Sequence, residues 1–597
     1  MSDQPVERYQ DSELYRIRHS AAHIMAEAVS EMFPGQAKIA IGPPIADGFY
    51  YDFDLPRALT PDDLVLIEKR MRQIIGGKFP FTRQEVSAED ARAQFKDQPY
   101  KLELIDGLDQ GGTDEYGNPT GEKPVISFYT HDTFTDLCRG PHVEHTGKVN
   151  PSAFKLTSIA GAYWRGDSNR PQLQRIYGTA FKTAEQLEKH LWQIEEAKKR
   201  DHRKLGKELG LFYFSEDVGP GLPLFSPKGE MLRYLMESYV RETQTRYGYQ
   251  HVWTGHLVKE DLFHRSGHYE HYHESMFPPM VDEDVTFRLK PMNCPSHMAL
   301  YNEMGKHSYR DLPLRFSEFA TLYRYEKTGE LNGLNRVRAL TQDDCHVFCR
   351  PDQIQEEFSR ALQLIREVLT RYQLTDYRVQ LSLRDDKGKF VADDEKWTLA
   401  TDALKTALEA NQVKYNAVAG EAAFYGPKAD FMAKDVLGRE WQLSTIQVDF
   451  IQPERLGCKY IGEDGQPHTP VLVHRAVTGS TERFMATIIE HFAGAFPLWL
   501  APVQAIVIPI ADRHTAYGQQ VAEQLKAEGF RVELDARSDR MQAKIRDAQL
   551  QKIPYMLVVG DKEAEAGAVS VRKRSGEDLK SKPLAEFIAM AKAELAE

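Results

Sequence analysis

The chain has 597 residues, 41% hydrophobic and 27% charged, with a net charge of −12. That length makes room for roughly three to five domains, and the composition excludes a disordered or fibrous chain. No apolar run approaches the ~20 residues of a membrane span, and the N-terminus has no signal-peptide core. Five scattered cysteines argue against a disulfide scaffold. A cytoplasmic protein with no membrane partner is expected.

In chain order, residues 1–180 mix short apolar runs with Gly/Pro turns such as "IGPPIADGFYYDFDL", which predicts an α+β fold with a small sheet. Near its start, "RHSAAHIMAEA" reads as a helix with His19 and His23 four apart, so both imidazoles share one face. With "CRGPH" supplying Cys138 and His142, the His-x3-His and Cys-x3-His spacings suit a zinc site. A purely structural histidine pair is the other reading of these residues alone. Residues 181–209 read as one connecting helix that turns from acidic to basic and ends in "AKKRDHRK".

Residues 210–500 form the largest block. Strand-like runs ("LPLRFSEFATLYRYE", "RVRALTQDDCHVFC", "WQLSTIQVDF", "PVLVHRAVTG") are joined by loops, which predicts an antiparallel sheet. Strand–helix alternation in residues 501–597 predicts βαβ units with a parallel core. The stretches "AKKRDHRK" and "VRKRSGEDLKSK" read first as solvated basic faces.

Residues 317–348 carry the functional signal. Two strands flank the Gly/Asn-rich "KTGELNGLN", a long-looped hairpin. On the second strand, alternation puts Arg336, Arg338, Gln342, Asp344 and His346 on one face. Val337, Ala339, Cys345 and Val347 fall on the other, so "CHVFC" is not a compact metal knot and its cysteines belong to the core. With Arg324 and Glu326 from the first strand, the polar face looks like the floor of a site for phosphate and a small polar ligand. Arginine suits that task because its planar fork offers several fixed donors.

"LYRYE", the loop and "RVR" resemble motif 2 of class II aminoacyl-tRNA synthetases, and "GSTERF" resembles motif 3. "KPMNCPSH", "LTQDDCHVF", "AFYGPK", "STIQVDF" and "VLVHRAVTGSTERF" are similar to the threonyl-tRNA synthetase family. So are "HSAAH", "DLCRGPH" and "AGAYWRGDSN" in the first block. The resemblance runs from about residue 13 to 595. It implies a class II antiparallel-sheet catalytic domain at 210–500, an α+β editing domain at 1–180, a linker helix at 181–209 and an α/β anticodon-binding domain at 501–597. The implied activity is ATP-dependent joining of L-threonine to tRNA(Thr) by a homodimer, with removal of wrongly attached serine. A non-catalytic RNA-binding relative is the rival reading.

The resemblance also implies residue roles. Cys294, His346 and His474 would hold one catalytic zinc per subunit, with Gln342, Asp344 and Tyr425 around the amino acid. Arg324, Glu326, Arg336, Gln442, Gln447 and Arg483 would bind ATP with Mg²⁺. Gln442 and Gln447 are an odd number apart, so both can face inward only if their strand bends or bulges. His19, His23, Tyr51, Lys101, Asp136, Cys138 and His142 would form the editing pocket without needing a metal, with Lys101 and His19 serving the attacking water. Glu563 and Arg572 would touch anticodon bases, and the basic run at 197–204 would contact tRNA phosphate. Three departures stand out: no ubiquitin-like extension precedes the first block, His256 replaces a proline of motif 1 at the dimer interface, and Ser538 replaces an asparagine expected among the anticodon contacts.

Overall fold

The structure, a computed structural model, describes residues 9–111, 125–167, 169–386 and 390–596. Ser168, part of one matching motif, lies outside the described residues. The chain forms two compact units, Met1–Glu195 and Glu196–Glu597.

In the first unit the helix Glu13–Met32 is central. Ser12 caps it by accepting the Tyr15 amide, and its residues are buried without interruption from Ile17 to Val29. It packs on an antiparallel sheet ordered Lys38–Ile39, Gly48–Asp54, Gln172–Ala180, Phe154–Tyr163, and on the helix Pro61–Gly77. A second sheet, Thr82–Glu85, Ser127–His131 and Phe134–Leu137, carries Asp136 and leads into Cys138. A helix buried on all sides would ordinarily be apolar all round. This one places His19, Ser20, His23 and Glu27 inside, which marks the polar residues for explanation.

The expected single connecting helix is two helices, Ala184–Arg200 and His202–Glu208. Asp201 breaks it. Its carboxylate accepts the Arg203 amide as an N-cap, leaving its own backbone non-helical.

The second unit is built on an eight-stranded sheet. In order its strands are Gln250–His251, Leu314–Tyr323, Ala339–Cys349, Val471–Ala476, Glu440–Asp449, Lys428–Lys434, Tyr377–Leu383 and Tyr415–Ala419. All neighbours are antiparallel except the outermost pair on each side. The helices Pro227–Arg246, Ile354–Arg371 and Thr481–His491 cover one face, where Cys345, Val347 and Cys349 join the core. The opposite face of the central strands is left for the site.

Two expectations need correction here. The strand holding His346 begins at Ala339 and its hairpin partner ends at Tyr323, so Arg324, Glu326, Arg336 and Arg338 lie in the loop and not on the strand faces. The Arg336 amide turns back to the Asn332 carbonyl, and the Arg338 amide bonds to the Gly221 carbonyl, which takes both out of a regular ladder. In the C-terminal sheet, Val532–Leu534, Ala505–Pro509 and Tyr555–Val559 are parallel as expected. Ala568–Lys573 and Asp578–Pro583 then add antiparallel strands. The second of these is the lysine-bearing edge strand that the basic sequence concealed.

Candidate active site and a second buried cluster

Cys294 starts the helix Cys294–Glu303, His346 sits on Ala339–Cys349 and His474 on Val471–Ala476. The two histidines are direct cross-strand partners. One ligand atom from each of the three residues lies within 4.8 Å of the others, and all three are buried.

The network around them sets the tautomers. Glu318 Oε2 lies 3.0 Å from His297 Nε2. A carboxylate only accepts, so Nε2–H donates to it, and the Asn293 amide, 2.9 Å from the same nitrogen, is satisfied by Glu318 instead; His297 Nδ1 is then left to accept from His346 Nδ1–H at 2.8 Å. His346 Nε2 then keeps its lone pair. Likewise His474 Nε2–H donates to Asp449 Oδ2 at 3.1 Å, leaving Nδ1 as the ligand atom. Asp449 is itself fixed by the Ile451 and Gln452 amides.

A thiol and two imidazoles, each ring oriented by a second hydrogen bond, form the donor set of an open zinc site. These residues therefore fit zinc. Burial would raise the Glu318 carboxyl, but hydrogen bonds from His297, Asn293 and the Thr254 amide outweigh it and hold it at about 2. Burial pushes Asp344, two residues before His346, up to about 6, against the pull of His297 and His474. Tyr425 stacks on His474 with ring centroids 4.8 Å apart and donates its hydroxyl hydrogen bond to Gln447.

Four residues of this site escaped the sequence reading: His268, His297, Glu318 and Asp449. His268 Nε2 lies 3.3 Å from Cys294 Sγ, and its Nδ1 is 2.8 Å from Ser266 Oγ. Only His297 left a signal, standing three residues after Cys294 and so on the same helix face.

At the end of the same strand face, Gln342 and Gln442 from the strands, Arg324, Glu326 and Arg336 from the hairpin loop and Arg483 from a helix line a cavity of about 220 Å³. Arg483 is in the first turn of Thr481–His491, where Ser480 caps the helix and the positive end of the dipole favours an anion. Its Nε donates to the Asn335 carbonyl at 3.1 Å. Burial, and then Arg324 and Arg336, pull its pKa down. Arg336 is held by Glu326 and Glu330 at 2.7 and 3.2 Å. A bulge lies in Glu440–Asp449: Met432 pairs with Gln442 while its neighbour Phe431 pairs with Ser444, leaving Leu443 unpaired. That extra residue lets Gln442 line the cavity while Gln447 sits opposite His474.

In the first unit His19, His23, Cys138 and His142 converge, again with ligand atoms within 4.8 Å. His19 Nδ1–H donates to the Pro141 carbonyl at 3.1 Å, and its Nε2 lies 3.3 Å from Cys138 Sγ. His142 Nε2 is 3.4 Å from the same sulfur, and its Nδ1 is 3.0 Å from Ser20 Oγ. Burial lowers the His19 imidazole to about 4, keeping it neutral. The turn between Cys138 and His142 needs Gly140. Its φ is +81°, and a Cβ there would meet the Tyr129 hydroxyl at 2.6 Å.

Beside the cluster, Lys101 Nζ lies 2.6 Å from Asp136 Oδ1 and donates to the Tyr51 hydroxyl at 3.1 Å. That hydroxyl donates to Asp136 Oδ2 at 2.6 Å. Beyond His23, His131 Nε2 and Glu27 Oε2 make a further buried pair at 2.9 Å. In the C-terminal domain Glu563 lies on the short helix Asp561–Ala566 and accepts the Gly560 amide; that helix packs on the strand bearing Arg572. The run at 197–204 is no bare cationic face: Arg200 donates to the His491 carbonyl, Arg203 pairs with Asp201, and His202 is buried.

Comparison with known proteins agrees with this anatomy. Residues 278–492 match the tRNA synthetase class II core domain (G, H, P, S and T), residues 504–594 an anticodon binding domain, and residues 126–177 the threonyl and alanyl tRNA synthetase second additional domain. The threonine–tRNA ligase of Rubrobacter xylanophilus is 62% identical over 563 residues, spanning 94% of this chain and 85% of the relative. That of Thermus thermophilus is 50% identical over 596 residues, 97% and 88% of the two chains. Among solved structures, the RNA binding domain of threonyl-tRNA synthetase from Cryptosporidium parvum superposes with a TM-score of 0.63 at 38% identity, covering 66% of this chain and 98% of that one. A Giardia lamblia prolyl-tRNA synthetase shares the fold at 17% identity and a TM-score of 0.53, over 68% and 80% of the two chains. The chain therefore belongs to the threonine–tRNA ligase family of class II aminoacyl-tRNA synthetases.

Proposed function

We propose that the chain activates L-threonine with ATP, transfers it to tRNA(Thr), and hydrolyses seryl-tRNA(Thr) in its N-terminal domain. The observation that carries the reading is one strand face with the Cys294–His346–His474 donor set gathered over it and the arginine-lined cavity at its end. Arg324 and Arg483 draw the ATP phosphates, carried with Mg²⁺, into that cavity, and Arg336 steadies the tail. The threonine carboxylate attacks the α-phosphorus and pyrophosphate leaves. These arginines stabilise the charge that builds up by position alone, without moving a proton. Gln442 and Gln447 orient the adenylate, and Tyr425, Gln342 and Asp344 the amino acid.

A zinc ion held by Cys294, His346 and His474 would supply an electrophilic position for the amino and hydroxyl groups of threonine. A site that reads the hydroxyl rejects valine strongly, whereas a pocket discriminates poorly against serine, which lacks only a methyl worth about 1–3 kcal/mol. That shortfall gives the second cluster its task. His19 and His142, neutral and beside Cys138, orient a water for attack on a seryl ester. Lys101, whose ammonium is paired with Asp136 and Tyr51, is not placed on the water as the resemblance implied, and His142 takes that position beside His19. We assign editing to residues 1–180, the connection to 181–209, aminoacylation to 210–500 and anticodon reading, with Glu563 and Arg572, to 501–597. A homodimer is the expected assembly.

The test is ATP–pyrophosphate exchange with threonine, serine and valine on protein of measured zinc content. Strong exchange with threonine, less with serine and none with valine is expected. Absence of exchange with all three on zinc-loaded protein would leave an RNA-binding relative.

A further inference from the structure

His202 is a buried histidine that no step above uses, 2% exposed in the middle of a basic run. Both of its ring nitrogens are engaged. Nδ1–H donates to Glu490 Oε1 at 2.7 Å, and Nε2 accepts the Leu334 amide at 3.1 Å. Because the carboxylate and the amide can each play only one role, the ring is fixed as the neutral Nδ1–H tautomer. With no lone pair left over, His202 is no metal ligand, although Asp201 and Glu490 stand close by.

Its partners matter more than its burial. Glu490 also accepts the His202 amide at 3.1 Å and receives Arg439 at 2.6 Å. It lies at the end of Thr481–His491, the helix whose first turn carries Arg483. Leu334 lies in the loop that leads to Arg336, and its side chain is fully buried in the core. The next residue, Asn335, gives its carbonyl to Arg483. One helix therefore grips the loop twice, at Asn335 from its start and at Leu334 from its end, and the second grip runs through His202. Gly333 makes the approach possible: its φ is +50°, and a Cβ there would lie 2.2 Å from His202 Nε2.

We propose that His202 is a positioning residue for ATP binding. It couples the connecting segment to the loop that presents Asn335 and Arg336 to the nucleotide cavity. The inference rests on the ATP-dependent reading above, but its first readout does not need activity.

Two substitutions separate the two ring contacts. H202N keeps an amide donor near Nδ1 for Glu490 and removes the acceptor for Leu334. H202Q places an acceptor near Nε2. In H202N, hydrogen exchange of the Leu334 amide should rise about tenfold, the scale of one lost bond to a buried N–H. The KM for ATP in exchange assays should rise by about the same factor, with the KM for threonine within about twofold of wild type. H202Q should recover most of the ATP KM. Unchanged amide exchange in H202N would overturn the proposal. So would equal losses for ATP and threonine together with a lowered unfolding midpoint, the mark of a purely structural histidine. If H202N fails to fold, H202A decides: free Leu334 exchange with a raised ATP KM and an unchanged threonine KM upholds the proposal, and free exchange with a wild-type ATP KM refutes it. Wild-type protein without pyrophosphate exchange would fail the functional reading instead, leaving the amide result to stand by itself.

Discussion

Glu318 and His346 never touch, yet Glu318 determines which nitrogen of His346 carries a lone pair. The carboxylate accepts from His297 Nε2, and His297 Nδ1 accepts from His346 Nδ1. Both Glu318 oxygens accept hydrogen bonds, from Thr254, Asn293 and His297. In E318Q the amide NH₂ must face one of those donors. Turned toward His297, it reverses the relay and leaves a proton on His346 Nε2. Zinc affinity should fall about 10–100-fold, as for other lost partners of metal-bound histidines. Competition against a chromophoric chelator measures it, and unaltered affinity in both E318Q and E318L, which has no acceptor in either orientation, would show that the tautomer is set elsewhere.

Removing the metal separates the two halves of the site. The Cys294–His346–His474 set shares no residue with the arginine cavity. Dialysis against a chelator should abolish threonine-dependent exchange and leave binding of a fluorescent ATP analogue within about twofold. Loss of both together would mean that the metal holds the cavity open. Metal analysis by mass spectrometry belongs to the same experiment: one zinc per chain, absent in C294S and retained in C138A, is expected. Two per chain would establish the metal reading of the first cluster.

Parts of this site were legible in the sequence because they depend on local rules. Strand alternation separates Cys345 from His346. The odd spacing of Gln442 and Gln447 demanded a bulge, and Leu443 supplies it. Other parts depend on tertiary partners that no window of sequence contains. Asp449 meets His474 only because their strands pair, and Glu318 meets His297 across a strand and a helix. Arg336 and Arg338 follow the alternation of the strand they precede, but backbone bonds to Asn332 and Gly221 end the regular ladder at Ala339. The break at Asp201 was readable as an N-cap; its surroundings of helix-forming Lys and Arg masked it.

In the editing domain, Lys101 and Asp136 form an ion pair whose side chains are 2% and 3% exposed. Breaking such a pair strands a buried charge at a cost of about 3–5 kcal/mol, whereas removing both charges costs far less. K101M should therefore destabilise the N-terminal unit by about that amount, and K101M/D136N should recover much of it. Urea unfolding followed by a probe in that unit tests this. Equal losses for the single and double variants would mean that packing around the lysine stem dominates.

H19A and C138A should reduce hydrolysis of seryl-tRNA(Thr) by about 10²–10⁴-fold, the range for lost acid–base positioning. Pyrophosphate exchange with threonine should be unchanged, because both residues lie in a separate compact unit. Deacylation of purified seryl-tRNA(Thr) gives the first number and the exchange assay the second. A parallel fall in both would tie the cluster to folding of the chain and not to editing.

Arg483 shows the cost of building an anion site from like charges. Partial desolvation, Arg324 and Arg336 all lower its pKa, but the side chain is exposed, so solvent screens most of that repulsion and the guanidinium stays charged. Its Nε bond to the Asn335 carbonyl offsets part of the remainder, and Arg336 is screened by Glu326 and Glu330. ATP phosphates would remove the repulsion when they enter. R483Q should therefore lower exchange activity by about 10²–10³-fold, the usual loss when one charge-stabilising donor is removed. The same variant should raise the unfolding midpoint of the nucleotide-free protein only slightly, since the repulsion it removes is screened by solvent. Saturating ATP should then stabilise wild type more than R483Q, in proportion to the affinity lost. Calorimetry with and without ATP tests all three consequences. A lower midpoint for nucleotide-free R483Q would show that the Asn335 contact outweighs the repulsion, and that Arg483 serves the fold before it serves the nucleotide.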